Sequence, residues 1–89
     1  MLTPRHHKPF KKDYKKIRAQ GKDIAQLKKI LAMLLNEEEL PASLHDHALT
    51  GNWKSFRELH IEPDWLLIYK VQDGICHLVR TGSHTELFD

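Results

Sequence analysis

The sequence predicts an α+β fold: a two-helix N-terminal hairpin packed on a small antiparallel β-sheet. Three observations carry this. Apolar residues recur at helical spacing up to about residue 36. After Gly51 they regroup into short β-branched and aromatic runs. Asp73-Gly74 then separates two such runs as a hairpin turn. The chain has 89 residues, enough for one domain over 1–89 that buries on the order of 60–65% of its unfolded surface.

A brief edge strand is expected at Met1–Arg5, weakened by Pro4. Pro9 can open a helix, because its missing N–H is not needed in a first turn. Phe10, Tyr14 and Ile17 form one apolar stripe among Lys11, Lys12, Lys15, Lys16 and Arg18, and Gly21 caps the end. The second helix is expected from about Lys22 to Asn36, with Ile24, Leu27, Ile30, Leu31, Leu34 and Leu35 on its apolar face. Leu40-Pro41 and Ser43–His47 read as loop. Residues 55–61 read as a strand, Glu62-Pro63-Asp64 as a turn, 65–71 as a central strand and 75–81 as its antiparallel partner. Gly82 ends that strand, leaving a tail, Ser83–Asp89. Helices covering one face of the sheet leave the other partly open for a site.

Composition excludes several classes. Cys76 is the only cysteine, so no intramolecular disulfide is possible, and a reducing cytoplasmic setting is expected. Residues 1–9 lack a signal-peptide apolar stretch, and no apolar run is long enough to span a bilayer, so no membrane association is expected. No Gly-rich phosphate loop is present, and Cys76 falls in an apolar strand where an inert buried thiol is expected. Charge is lopsided. Residues 1–36 hold ten Lys or Arg against two acids, whereas residues 37–89 hold four against ten. A basic face for a polyanion follows.

Seven histidines stand among the 89 residues. Their spacing matches no strong zinc pattern, so neither a metal nor a cofactor is expected. His47, His60, Asp64, Arg80 and His84 fall at strand ends, in a turn, or on one sheet. RNA is cut without metal when a 2′-OH attacks the adjacent phosphate. That needs a base, an acid and a cation for the growing charge, which His, Asp and Arg can supply. Trp65 or Phe88 could stack on an unpaired base. Trp53, Phe56, Leu67, Ile68 and Tyr69 read as packing, and Arg57 as a solvated strand residue or a second phosphate ligand.

Asp46-His47-Ala48-Leu49-Thr50-Gly51-Asn52-Trp53-Lys54, the stretch Phe56 to Lys70 with its His60-x-x-Pro63-Asp64-Trp65 element, and Arg80-Thr81-Gly82-Ser83-His84 together resemble the YafQ branch of the RelE toxin superfamily. The resemblance implies a RelE-like fold and a bacterial type II toxin, cytoplasmic, that cleaves mRNA on the translating ribosome and is silenced by a cognate antitoxin. Operator DNA would be met only through the antitoxin complex. It places the active site on His47, His60, Asp64, Arg80 and His84, with Trp65 and Phe88 as substrate contacts. His84 is the expected general acid, and Asp64 or His60 the base. His47 would orient substrate or share a proton, and Arg80 would stabilise the phosphorane. The implied ribosomal target assigns Lys11, Lys12, Lys15, Lys16 and Arg18 to ribosomal RNA phosphates. The alternative is a ParE-like toxin that acts by binding a topoisomerase.

Overall fold

The computed structural model describes residues 1–88 and bears out the α+β class. Strand β1 spans Thr3–His6, helices α1 and α2 span Lys8–Ala19 and Ile24–Leu35, and β2 is His47–Ala48. Strands β3 (Arg57–Glu62), β4 (Trp65–Gln72) and β5 (Ile75–Gly82) follow, then helix α3 (His84–Phe88). The sheet order is β1-β5-β4-β3-β2, antiparallel except where β1 runs parallel to β5.

Each element ends where its sequence dictates. Past α1, Gly21 takes φ +79°, so its N–H reaches the Arg18 carbonyl and the Lys22 N–H that of Ile17. The Asp23 carboxylate caps α2 by accepting from the Gln26 N–H at 3.3 Å. Asp73 and Gly74, both with positive φ, make the tight turn between β4 and β5. Pro4 is accommodated because β1 is an edge strand.

The sheet separates two apolar clusters. Phe10, Ile17, Leu27, Ile30 and Leu34 of the helices pack with Leu59, Ile61, Trp65, Leu67, Tyr69, Cys76 and Leu78. On the opposite face Leu66, Ile68 and Leu87 pack with Leu49, Trp53, Phe56, Val79 and Phe88. Alternation along β4 assigns odd positions to the helices and even positions to the second face. Among the described residues the 49–56 segment and α3 cover that second cluster and bury Leu66 and Ile68, while α1 and α2 leave the rim of the face, from His47 and His60 to Lys70, Gln72 and His77, accessible.

Two expectations are corrected. The tail is not irregular, since His84–Phe88 is helical; Asp89 lies outside the described residues. The stretch after Pro41 is not plain loop either, for Ala42–Leu44 makes a helical turn and His47–Ala48 adds the edge strand β2. Among the described residues no helix is long and apolar enough to cross a membrane.

Candidate active site

Strand register builds the site. His47 pairs with Glu58, Glu58 with Ile68, and Ile68 with Arg80, so one row crosses four strands. Paired residues project to the same face, here the face the helices leave open. The next row is His60, Leu66 and Gly82, and His84 follows two residues later. With strands about 4.8 Å apart, each row places its β3 and β5 members roughly 10 Å from one another.

Arg80 reaches this face through a bulge. Ile68 pairs with Arg80 but Tyr69 pairs with Leu78, so Val79 is an extra residue on β5. Were Val79 paired in a regular ladder instead, alternation from Cys76 and Leu78 would send Arg80 under the helices. Arg80 Nε donates to Asp13 Oδ2 at 2.6 Å and Nη2 donates to Oδ1 at 3.2 Å, which pushes the guanidinium above its ordinary range. Asp13 also accepts the Thr81 N–H at 3.1 Å. Two of five guanidinium hydrogens are thus used, leaving three for an incoming anion.

Glu58 is a participant that sequence reasoning missed. It is 6% exposed, and its Oε1 lies 3.4 Å from His60 Nε2 and 3.6 Å from His47 Nε2. The opposite ring nitrogens are also held: His60 Nδ1 is 3.1 Å from the Pro63 carbonyl and His47 Nδ1 is 2.7 Å from that of His45. Carbonyls accept only, so both Nδ1 atoms carry hydrogen and both Nε2 atoms turn toward Glu58. Strand parity with His60 was the available signal.

His84 opens α3. Asp64 Oδ1 accepts its backbone N–H at 3.0 Å, and its ring lies 4.9 Å from the Phe88 ring. Ser83 and Glu86 form a reciprocal capping box: the Glu86 N–H reaches Ser83 Oγ at 3.1 Å, and the Ser83 N–H reaches Glu86 Oε1 at 2.9 Å. Lys16, 2.7 Å from Glu86, and the Ser83 N–H hold that carboxyl down to about 2. Gly82 stands behind the box at φ +155°, a conformation that strains a side chain, and a Cβ there would crowd Glu86 Oε1 at 3.1 Å.

The expected residues therefore divide. His47, His60 and His84 belong to the open face, Arg80 sits at its edge, and Phe88 lies beside His84 and Trp53. Asp64 lines a separate cleft with Gln20, Lys22 and Glu86 and holds α3. Trp65 is corrected: it is fully buried on the helix side, its Nε1 donating to Thr81 Oγ1 at 3.0 Å, so it does not meet substrate. Its odd position on β4 decides this. Arg57 bonds Asp46, which also accepts from the Tyr69 hydroxyl. Of the basic set, Lys11, Lys15 and Arg18 line a groove of about 490 Å³ with Phe10, Tyr14 and Lys28. Lys12 lies near Arg80, whereas Lys16 is engaged by Glu86.

Comparison with known proteins agrees with this frame. The sequence profile of a family described as bacterial toxin of type II toxin-antitoxin system, YafQ, matches residues 2–89. The class is therefore a type II toxin, and within it the chain belongs to the YafQ family. The mRNA interferase toxin YafQ of Escherichia coli K12 is 44% identical over 80 residues, covering 89% of this chain and 87% of that protein. A copper-bound mutant toxin from Helicobacter pylori superposes with a TM-score of 0.95 at 44% identity, covering 99% of this chain and 100% of that one. The YafQ of the E. coli DinJ-YafQ complex gives 0.92 at 39% identity, covering 100% of both chains.

Proposed function

We propose that this toxin is an endoribonuclease that cleaves mRNA on the translating ribosome by metal-free acid–base chemistry. The observation that carries the reading is the His47–Glu58–Ile68–Arg80 row with His60 and His84 beside it on the open face. His60 Nε2, supported by Glu58, takes the proton of the 2′-OH as that oxygen attacks the neighbouring phosphorus. The P–O5′ bond breaks, and His84 protonates the leaving 5′-oxygen, giving a 2′,3′-cyclic phosphate and a 5′-hydroxyl. Arg80 directs its remaining hydrogens at the phosphorane oxygens. His47 shares the proton load of Glu58, and Asp64 positions His84 by capping α3.

A metal is the specific alternative, given the copper-bound relative from H. pylori. Imidazole nitrogens and a carboxylate suit copper. The Nε2 atoms of His47 and His60 beside Glu58 Oε1 are the donors such an ion would meet, although no three His, Cys, Asp or Glu among the described residues are spaced to hold one, and the acid–base steps above need none. The complex formed by E. coli YafQ supports a cognate antitoxin as partner; operator DNA is proposed to be met only through that antitoxin. Lys11, Lys12, Lys15 and Arg18 serve as ribosomal RNA contacts, and ribosome affinity should fall steeply with salt. An affinity flat in ionic strength would remove that role.

His84→Ala tests the mechanism. Mapping mRNA ends after incubation with translating ribosomes should show cleavage lost at an unchanged unfolding temperature. Cleavage at the wild-type rate, or growth arrest persisting in cells that make the variant, would defeat the assignment. Arrest without mRNA ends, accompanied by topoisomerase inhibition, would favour the ParE-like alternative.

A further inference from the structure

A second cluster lies farther along the open face. His7 Nε2 and His77 Nδ1 stand 2.9 Å apart, so one ring N–H donates to the other ring's lone pair. His77 is paired across the sheet with Lys70, at an even position of β4 and thus on the face of Leu66 and Ile68. These three residues line a cleft of about 230 Å³ with Phe56, Gln72 and Val79. No carboxylate is among the lining residues. The Lys70 ammonium lies 5.4 Å over the Phe56 ring.

A chain of ring contacts links the cleft to His84. Phe56 meets Trp53 edge-on at 5.5 Å, Trp53 meets Phe88 at 6.0 Å, and Phe88 meets His84 at 4.9 Å. This ring ladder forms the floor between the two clusters. At about 3.4 Å per residue, Lys70 lies roughly 14 Å along β4 from Leu66, the residue paired with His60, which is a few nucleotides of extended strand.

We propose that His7, His77 and Lys70 form a second RNA subsite, which grips a backbone phosphate a few nucleotides from the scissile one while intervening bases pack on the aromatic ladder. The inference rests on the nuclease reading and extends it to how the strand is held. The chemistry is that of an anion seat closed on itself when empty. The shared hydrogen needs one ring neutral, and burial together with nearby His77 and Arg5 lowers the His7 pKa. A phosphate in the cleft supplies acceptors for both rings and the counter-charge for Lys70, so both rings can then donate. Such a contact reads charge rather than sequence.

Uncleavable 2′-O-methyl RNA oligomers of four and eight nucleotides test this in the full-length protein. Lys70→Gln should weaken octamer binding about five- to tenfold, reduce the steepness of log K against log salt by about one, and leave the tetramer unaffected. His77→Gln should act likewise on affinity. In the wild type, the octamer but not the tetramer should shift the His7 and His77 ring resonances. Octamer affinity unchanged in both variants overturns the subsite and leaves the nuclease assignment intact. Ring shifts reproduced by inorganic phosphate with no gain from lengthening the RNA would make it an ordinary anion site, which also overturns it. Reduced antitoxin affinity with normal RNA affinity would assign the cleft to a protein partner instead. A wild-type protein that binds neither oligomer would bring down this inference and the RNA role of the whole face, independently of the His84→Ala result.

Discussion

Glu86 is where removal of one carboxylate should separate anchoring of the site from its chemistry. The side chain is 27% exposed, accepts from the Ser83 N–H and from Gln20 Nε2 at 3.3 Å, and pairs with Lys16 at 2.7 Å. Loss of the capping interaction costs about 1 kcal/mol. The Lys16 partner is 58% exposed, so its share is about 0.5 kcal/mol. A carboxyl at about 2 instead of 4.5 sets an upper bound near 3 kcal/mol, which solvent screening reduces to a similar range. Glu86→Ala should therefore destabilise by about 1.5 kcal/mol and lower Tm by roughly 6–12 °C. Glu86→Gln keeps a capping acceptor and should cost about half as much. Because folding depresses this carboxyl, its stabilisation is complete above pH 4.5 and disappears as pH falls toward 2. Urea unfolding followed by tryptophan fluorescence should thus show the gap between wild type and Glu86→Gln constant from pH 7 to 5 and closing below. A five-residue helix does not stand alone, so cleavage should fall in Glu86→Ala as His84 loses its mounting. A gap that persists undiminished at pH 2.5, or a Glu86→Ala protein melting within about 2 °C of wild type, would refute the reasoning.

Two further outcomes follow. Asp13→Asn removes half of the Arg80 fork and weakens the acceptor of the Thr81 N–H; it should cost about 1–2 kcal/mol and slow mRNA cleavage by about tenfold or more, measured as end formation on ribosomes. Cys76, fully buried with its thiol pushed up to about 11, should resist alkylation at pH 8 in the native protein and react promptly in urea; equal rates in both states would contradict its burial.

Much of the fold was legible because it rests on periodicity. The stripe through Phe10, Tyr14 and Ile17, the run from Trp65 to Tyr69 and the Asp73-Gly74 turn each report a local preference that packing then reinforces. The parallel seat of β1 was not legible, since pairing Thr3–His6 with Ile75–Leu78 is a nonlocal choice with no local mark. Helix α3 is too short to show a period, although Ser83-x-x-Glu86 was a readable capping box. Within the site, histidines drew attention by their chemistry. Glu58 did not, because an acid alternating along a strand reads as solvated, and its burial follows only once His47 and His60 flank it. Trp65, expected as a stacking substrate contact, shares parity with Leu67 and Tyr69, and that parity is what buries it with them.

The extra residue at Val79 has a consequence for the diversity of proteins on this scaffold. Excising it would only regularise the ladder, for Arg80 would stay opposite Ile68 and Thr81 opposite Leu67, each on its present face. Closing the bulge with Val79 retained would instead put Val79 opposite Ile68 and Arg80 opposite Leu67, turning the guanidinium inward and Thr81 outward and leaving the Trp65 indole without its acceptor. A one-residue slip of β5 against β4 is thus enough to withdraw the guanidinium from this face of a recognisable sheet, and such a change need leave no substituted histidine behind.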